Sequence, residues 1–303
     1  MMIFCTVLVM ILSANLVSTD IDDTTDVEDS TEQIEKISHG LPVFDRFKYP
    51  YFVSLQYPDR TNPGGYRHFC GGSLITRQIV ITAAHCLFNL QQIPGFRILP
   101  NYRNTPYIGP SDRTFKIARY VIYPGFDRRI FQHDIAVLLL DQPDARNGAT
   151  IRLPIADVPL QAPLTIIGFG KIENEIVPNE LLSAVVYKLA DQICRYYIDP
   201  ALYIRGTICA GNAIKSGICT GDSGGPLIRE VNGISYLQGI SSTYFPPCGS
   251  NRVSSYVNVL PYLEFINRAV SSLTGGGPRS DEFNIQWTQN DSYTTDGSTV
   301  DYA

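Results

Sequence analysis

Short apolar segments separated by turn residues run through most of the chain. In YPYFVSLQY, residues 49–57, Phe52, Ser54 and Gln56 alternate with their neighbours at the period of two that a strand requires. Similar segments recur as GSLITRQIVIT, FKIARYVIY, IAVLLL, LTIIGFG, AVVYKL, GISYLQGIS and SSYVNV. Because the strands are short and closely spaced, the pattern predicts an all-β fold, either a barrel or a sandwich.

One helix is predicted near the end of this pattern. Val259, Leu263, Ile266 and Val270 form a single apolar stripe at helical spacing, and Pro261 suits a first turn. The sequence TGGGP then breaks the regular pattern, and the remaining residues are polar. We expect this last segment to be disordered.

The chain begins with a short apolar run. Residues 3–12, IFCTVLVMIL, are too few to span a bilayer but have the length of the apolar core of a secretory signal. The basic residues that usually precede such a core are missing. We expect a signal peptide over residues 1–19, cleaved between Ala14 and Thr19; the alternative is a membrane anchor.

Charge is unevenly distributed along the chain, whose formal net charge is −5. Residues 20–36 carry net −7 and residues 274–303 carry net −4, which leaves +6 for residues 37–273. This division predicts an acidic propeptide, one folded domain and a disordered acidic tail that holds the only glycosylation sequon, at Asn290. There is no basic run or zinc-finger spacing, so nucleic-acid binding is not expected.

The number of cysteines is the one expected for a protein in an oxidising compartment. Cys5 would leave with the signal peptide, and an even number then remains: Cys70, Cys86, Cys194, Cys209, Cys219 and Cys248. Six cysteines allow 15 pairings, and the sequence alone does not choose among them.

Candidate chemistry centres on KSGICTGDSGGPLI, which places Ser223 among glycines. The segment fits G-x-S-x-G, the nucleophile elbow of α/β-hydrolases, but in that fold the catalytic histidine follows the serine. Here His39, His68, His85 and His133 all precede it. The elbow is therefore excluded by chain order, and a base that activates the serine must come from upstream.

Three motifs in the order His, Asp, Ser carry a family resemblance. ITAAHC, HDIAVL and GDSGGPL resemble the chymotrypsin/trypsin family of serine proteases over residues 37–273. The resemblance implies two six-stranded antiparallel Greek-key β-barrels with a C-terminal helix. It also implies that His85 is the general base, that Asp134 orients it, and that Ser223 is the nucleophile that forms an acyl-enzyme. The backbone N–H groups of Gly221 and Ser223 would form the oxyanion hole.

The histidines allow two other roles. His133, next to Asp134, is expected to be a hydrogen-bonded surface neighbour without a catalytic role. A zinc site is the alternative for one group of residues: His68, Cys70, His85 and Cys86. No metal and no cofactor is expected, and residues 95–113 show no calcium-binding loop.

The resemblance also implies activation by cleavage. The bond Lys36–Ile37 lies where the family is cut, and the new ammonium of Ile37 would pair with Asp222. The sequence ISHG departs from the family's IVGG at Ser38 and His39. The alternative is that this stretch is an ordinary linker. Residues 20–36 contain no cysteine, so the released peptide would not stay attached by a disulfide.

Substrate choice in this family depends on the residue six positions before the serine. Here that residue is Gly217, followed by Ile218, whereas trypsin-like members carry an aspartate. An uncharged floor would leave a substrate cation unpaired, so trypsin-like specificity is not expected. The enzyme should therefore cut its own Lys36–Ile37 bond poorly and need a separate trypsin-like activating protease.

The pocket walls also depart from the family. The segment that usually reads SWG pairs with the substrate backbone as an added strand. Here Ser242 keeps the serine, Thr243 replaces the tryptophan, Tyr244 replaces a wall glycine and Ser254 stands where another glycine is common. These changes predict a narrowed pocket for small or medium apolar side chains, that is, chymotrypsin- or elastase-like specificity.

The family's disulfides would join Cys70 to Cys86, Cys194 to Cys209, and Cys219 to Cys248. Expected partners are protein or peptide substrates, the activating protease and protein inhibitors, with no nucleic acid and no membrane; the protein is expected to be a secreted monomer. The alternative function is a catalytically weak or inactive homologue that acts as a binding or regulatory protein.

Overall fold

The computed structural model describes residues 37, 40–45, 47–87, 95–101, 113–146, 149–172, 176–197, 206–244 and 253–275. These residues all belong to one compact unit, residues 35–303. Several predictions fall outside the described residues: the signal peptide, the propeptide with Lys36, the pair Ser38 and His39, Cys248, and the tail with Asn290.

Strands dominate the described residues. They are β1 Leu41–Pro42, β2 Phe52–Pro58, β3 Tyr66–Leu74, β4 Ile79–Thr82, β5 Arg97–Pro100, β6 Ile117–Ile122, β7 Ala136–Leu140, β8 Pro163–Gly168, β9 Leu182–Lys188, β10 Thr207–Gly211, β11 Pro226–Val231, β12 Ile234–Thr243 and β13 Ser254–Asn258. The α-helices are α1 Ala84–Leu87, α2 Asp191–Tyr197 and α3 Leu263–Thr274.

The strands form two antiparallel sheets. The first has the order β5-β2-β3-β4-β7-β6, and an isolated bridge between Ile98 and Phe115 links β5 to the stretch before β6. The second closes into a six-stranded barrel because β8 pairs with β9, and β1 adds to it at β9. The predicted all-β fold with a C-terminal helix is confirmed.

The strand β1 was not among the strands that the sequence predicted. Leu41 pairs with Ser183 and Pro42 with Leu182 of β9, and the N–H of Val43 donates to Leu181. Two residues are too few to show a period in the sequence. This pairing fixes the start of the folded domain on the second sheet.

β2 is a predicted strand whose polar face is buried as well. Ser54 and Gln56 have exposed fractions of 0% and 1%. The amide of Gln56 donates to Ser54 Oγ, 3.1 Å away, and Gln56 Oε1 accepts a bond from Arg97. Because these polar groups are hydrogen-bonded, both faces of the strand can leave water.

The C-terminal helix buries the predicted stripe. Pro261 lies in a 3-10 turn over Leu260–Tyr262, and the α-helix itself starts one residue after that turn. The helix packs against β6 and β7 with Ile266 and Val270 buried, and it ends at Gly275, whose φ is 71°. Among the described residues, no helix has both the length and the apolar character needed to cross a bilayer.

Candidate active site

His85 and Asp134 are joined by two hydrogen bonds on the first sheet's side of the molecule. His85 lies in α1 directly after β4, and Asp134 lies two residues before β7, which pairs with β4. The carboxylate accepts the His85 backbone N–H at 2.8 Å and contacts His85 Nδ1 at 2.7 Å. A carboxylate can only accept here, so Nδ1 carries the proton and Nε2 is left as a base.

A third donor completes the surroundings of Asp134. The Ser242 hydroxyl, near the end of β12 in the second sheet, donates to Asp134 Oδ2 at 2.7 Å. Asp134 has no exposed surface. Its charge is therefore buried but fully hydrogen-bonded, and it is aimed at the imidazole.

Ser223 lies in the loop before β11 and is partly exposed. Its carbonyl accepts the N–H of Gly71 in β3 at 2.7 Å, so a backbone bond joins the serine loop to the first sheet. Within the described residues, no hydrogen bond links Ser223 Oγ to His85 Nε2. That nitrogen lies 3.8 Å from Cys86 Sγ. Catalytic hydrogen bonds often tighten only when substrate is bound.

The predicted oxyanion hole has its donors available. Gly221 has a φ of 104°, a conformation that favours glycine. Among the described residues, the N–H groups of Gly221 and Ser223 have no backbone acceptor, while the N–H of Asp222 between them donates to Cys219. The two free donors can therefore bind a negatively charged oxygen.

His68 has a positioning contact that the sequence did not reveal. Its Nε2 donates to the Gly221 carbonyl at 2.8 Å, so Nδ1 accepts the Ser54 hydroxyl at 2.7 Å. Burial lowers the pKa of His68 to about 4 and keeps the ring neutral. The contact joins residues 153 positions apart, and a lone histidine in a strand gives no motif that could have predicted it.

Asp222 is a buried carboxylate without a cation beside it among the described residues. It accepts backbone N–H groups from Gly170 at 2.7 Å and Cys219 at 2.9 Å. Burial raises its pKa to about 7, against the effect of these two bonds. A Cβ on Gly168 or Gly170 would collide with the carboxylate, so the two glycines make room for it.

Ile37 lies in the same region of the second sheet. Its side chain has no exposed surface and belongs to an apolar cluster with Leu164, Ile166 and Ile218. Its φ is 42°, an uncommon value for a β-branched residue. The structure therefore brings the apolar part of the predicted new N-terminus into a buried site of the domain that holds Asp222.

Ser254 lies against the predicted pocket floor. Gly217 and Ile218 are buried, and the Ile218 N–H donates to Ser254 Oγ at 3.3 Å. A Cβ on Gly217 would lie 2.7 Å from the same oxygen. Ser254 therefore lies directly against the glycine that was predicted to form the uncharged floor.

Of the predicted wall residues, Ser242 and Thr243 end β12, Tyr244 follows directly, and Ser254 begins the paired strand β13. The hydroxyl of Thr243 is hydrogen-bonded to that of Ser255, and Tyr244 OH lies 2.6 Å from Thr220 Oγ1. Thr220 was not singled out from the sequence. A cavity of about 220 Å³ borders this strand, lined among others by Phe131, His133, Ser242, Thr243, Tyr244 and Tyr262.

His133 is not the surface neighbour that the sequence indicated. The ring is half-buried, bonds to Tyr262 OH at 2.7 Å and packs against Tyr123 with centroids 4.9 Å apart. Burial lowers its pKa. The loop before β7 turns at Phe131 and His133, both with positive φ, and this turn brings Phe131 edge-on to His85 with ring centroids 5.2 Å apart.

Disulfides join Cys70 to Cys86 and Cys194 to Cys209, the pairs that the resemblance implied. Cys219 is also disulfide-bonded, and its expected partner Cys248 lies outside the described residues. Because Cys70 and Cys86 are bonded to each other, neither is a free thiolate. The zinc alternative therefore loses two of its four ligands.

Two antiparallel sheets, a buried aspartate bonded to a histidine, and a serine loop bonded to β3 are the features of the two-barrel class of serine proteases. The family model for trypsin matches residues 43–266. Human kallikrein-4 (Homo sapiens) is 30% identical over 212 residues, which covers 67% of this chain and 78% of the relative. The chain belongs to the trypsin family.

Proposed function

We propose that the chain is the zymogen of a secreted serine endopeptidase that hydrolyses peptide bonds through an acyl-enzyme. The observation that carries this proposal is the fully buried Asp134, which holds both the backbone and the ring of His85 through bonds of 2.8 and 2.7 Å. This arrangement puts the proton on Nδ1 and leaves His85 Nε2 as a base.

Each side chain has one role in the proposed reaction. His85 Nε2 takes the Ser223 hydroxyl proton as the serine oxygen attacks the scissile carbonyl carbon. The imidazolium then returns this proton to the leaving amine as the peptide C–N bond breaks, which leaves an ester on the serine. A water molecule then attacks the ester with the same two proton transfers through His85, which releases the carboxylic acid product and restores the serine. Asp134 stabilises the imidazolium at both stages.

The oxyanion of the tetrahedral intermediate would be bound by the N–H groups of Gly221 and Ser223. Their lack of a backbone acceptor among the described residues supports this role. In such sites one donor stabilises the transition state by roughly 3–4 kcal/mol. His68 acts indirectly, because its bond to the Gly221 carbonyl fixes the peptide plane next to the donor.

Activation would follow cleavage of the Lys36–Ile37 bond. The new ammonium of Ile37 would then pair with Asp222, whose raised pKa shows the cost of burying this carboxylate without a cation. The full burial of the Ile37 side chain supports the pairing, since its apolar part already has a site in the second sheet. A separate trypsin-like protease would make the cut.

The proposed substrate has a small or medium apolar side chain before the scissile bond. The floor at Gly217 carries no charge, and Ser254 takes up part of its space. A lysine or arginine side chain would be desolvated there without a counter-charge. Substrates and protein inhibitors would both bind along Ser242, Thr243 and Tyr244 as an added strand.

Secretion is supported by the cysteines and by the N-terminal apolar run. Disulfides such as Cys70–Cys86 and Cys194–Cys209 persist in oxidising compartments. We further propose the boundaries expected from sequence: signal peptide 1–19, propeptide 20–36, protease domain 37–273 and tail 274–303, with a monomeric mature form.

A peptide library tests the proposed function. The purified zymogen is cut after Lys36 by a trypsin-like protease, which is then removed, and the mature protein is incubated with the library. We expect cleavage after small or medium apolar residues. Cleavage mainly after lysine or arginine would contradict the pocket assignment, and no cleavage above that of Ser223→Ala would contradict the proposed activity.

A binding or regulatory protein without turnover is the second candidate. It is favoured by one observation: within the described residues, no hydrogen bond joins Ser223 Oγ to His85. Tight binding of library peptides to the cleaved protein, with no hydrolysis, would support this candidate against the first.

A further inference from the structure

The turn that carries Asp134 contains an uncommon backbone conformation. His133 has a φ of 53°, a left-handed value that is unfavourable for a residue with a side chain. Its carbonyl accepts the N–H of Ile135 at 2.8 Å, which closes a three-residue turn with Asp134 at the apex. Ile135 is fully buried directly before β7. The direction in which the Asp134 side chain leaves the chain therefore depends on the conformation of His133.

The ring of His133 is held from two sides. Its Nδ1 lies 2.7 Å from Tyr262 OH, at the end of the 3-10 turn before α3. The ring also packs on Tyr123, with centroids 4.9 Å apart, and Tyr123 contacts Tyr262 edge-on at 5.2 Å. A Cβ on Gly125 would lie 3.2 Å from His133 Cδ2, so this glycine makes room for the ring. Together these contacts fix the position of the imidazole.

The ring contacts can keep the backbone of His133 in its unfavourable conformation. Such a conformation persists near an active site only where the surrounding structure enforces it. Rotation about the N–Cα bond of His133 moves its ring and Asp134 together relative to Gln132, which is itself paired with Asp127. Relaxation of φ would therefore pull the ring out of its contacts and, in the same movement, turn Asp134 away from His85.

We propose that His133 is a positioning residue for the triad, and that through its bond to Tyr262 the C-terminal helical segment keeps Asp134 aimed at His85. This inference rests on the proposed protease function and deepens it. His133 acts only through Asp134, so it is not a catalytic residue. The position of the 3-10 turn before α3 is thereby coupled to the rate of the reaction.

The test measures kcat and KM of the protein cleaved after Lys36 on a peptide with alanine before the scissile bond. His133→Asn keeps a polar δ atom at the place of Nδ1 and tolerates a positive φ. His133→Leu branches at the same carbon but has neither property. Tyr262→Phe removes only the hydroxyl. Ile266→Ala is the matched control, because it weakens the packing of α3 but removes neither partner of the His133 ring.

We expect kcat to fall roughly five- to tenfold in Tyr262→Phe, the change expected for one lost hydrogen bond. His133→Leu should lower kcat roughly 10- to 100-fold through the misplaced carboxylate, with KM within about threefold of wild type. His133→Asn should lose less than about threefold, and Ile266→Ala less than about twofold. When Asp134→Asn is already present, His133→Leu should lower kcat by less than about twofold, because its effect passes through the missing carboxylate.

Two results would overturn the inference while the protease function stands. One is an equal loss of kcat in His133→Asn and His133→Leu, or the same loss from His133→Leu with and without Asp134. The other is a loss in Ile266→Ala as large as that in Tyr262→Phe, which would show a general effect of weakened packing. No hydrolysis by cleaved wild type would instead overturn the proposed function, and this inference with it. Where His133→Leu does not fold, the comparison of Tyr262→Phe with Ile266→Ala decides.

Discussion

At the residue scale, Asp134 shows how burial and function are combined. Its carboxylate has no exposed surface but accepts three hydrogen bonds, two from His85 and one from Ser242. A buried charge is tolerated when it is hydrogen-bonded in this way. The same bonds fix the tautomer of the imidazole, and in the proposed reaction the negative charge would stabilise the proton that His85 takes up.

Asp134→Asn should lower kcat with little effect on KM. The amide has one acceptor oxygen in place of two, so when that oxygen binds the His85 backbone N–H, its NH2 group faces Nδ1 and favours the wrong tautomer. A loss of roughly 10⁴-fold is the magnitude known for this family's triad. Asp141→Asn, an exposed carboxylate that accepts the Lys116 N–H, is the control. A loss under tenfold on the mature enzyme would contradict the assigned role of Asp134.

Two buried ionisable groups at the loop of Gly221–Ser223, Asp222 and His68, make stability depend on pH in opposite directions. Burial raises the pKa of Asp222 from 3.8 to about 7, so its stabilisation, present below about pH 4, is lost as pH rises to about 7. Burial lowers the pKa of His68 from 6.5 to about 4. Its stabilisation is present above about pH 6.5 and is lost as pH falls toward 4.

Asp222→Asn removes the ionisable Asp222 carboxyl, and with it the loss of stability above about pH 4, from the uncleaved chain. Relative to wild type, the free energy of unfolding of this variant should increase from pH 4 to pH 7, by up to about 1.4 kcal/mol per pH unit. His68→Gln should show the opposite trend from pH 4 to pH 6.5. Urea unfolding at several pH values measures both differences. If the free energy of unfolding depends on pH in the same way for all three proteins, neither group titrates as described.

At the element scale, the sequence predicted the strands and the motifs better than the contacts between them. The period of two identified β2, and the apolar stripe identified α3. The three candidate triad residues were proposed because each lies in a recognisable motif. The bond between His68 and Gly221 joins residues 153 positions apart, and such a pairing follows from sheet packing that no local pattern encodes.

The burial of the polar face of β2 also depends on contacts between distant parts of the chain. Alternation indicated a strand but did not show that its polar face is buried, because that depends on the partners Ser54 and Gln56 find in β3 and β5. The strand β1 was missed because two residues carry no period. Similarly, Tyr244 was recognised as a wall residue, but its partner Thr220 became visible only in the folded chain.

The helix α3 gives a test of packing at this scale. Ile266 is fully buried against the first sheet's core, so Ile266→Ala should reduce the free energy of unfolding by about 2–5 kcal/mol. Glu264→Ala on the exposed side breaks only a surface pair with Arg268 and should cost under about 0.5 kcal/mol. Denaturant unfolding of both variants measures these losses in the free energy of unfolding. Equal losses would show that α3 is not packed as described.

At the scale of the whole molecule, the site exists only where the two sheets meet. His85 and Asp134 come from the first sheet, while Ser223 and Ser242 come from the second. The Gly71 N–H bond to the Ser223 carbonyl joins the two directly. The proposed activation would act on the second sheet's side of the molecule, where Ile37 packs in an apolar cluster with residues of that sheet and Asp222 bonds to Gly170 after β8. It would reach the first sheet through the loop of Gly221–Ser223, which is bonded to Gly71.

Lys36→Gln should block activation without changing the folded domain. A trypsin-like protease cuts after lysine, so this variant should stay uncleaved and show no hydrolysis of an alanine-containing peptide, while wild type gains activity on treatment. Matched urea unfolding of the two uncleaved proteins is the control for folding. Full activity of the uncleaved variant would contradict the proposed activation.

Covalent labelling of Ser223 is the most direct test of the central claim, that His85, Asp134 and Ser223 act together as a catalytic triad. Protein cleaved after Lys36 is treated with a serine-directed phosphonate, and the modified residue is located by mass spectrometry. We predict stoichiometric labelling of Ser223, slow labelling before cleavage, and none in His85→Ala. Cleaved, folded protein that stays unlabelled at Ser223, or that labels equally well without His85, would contradict the claim.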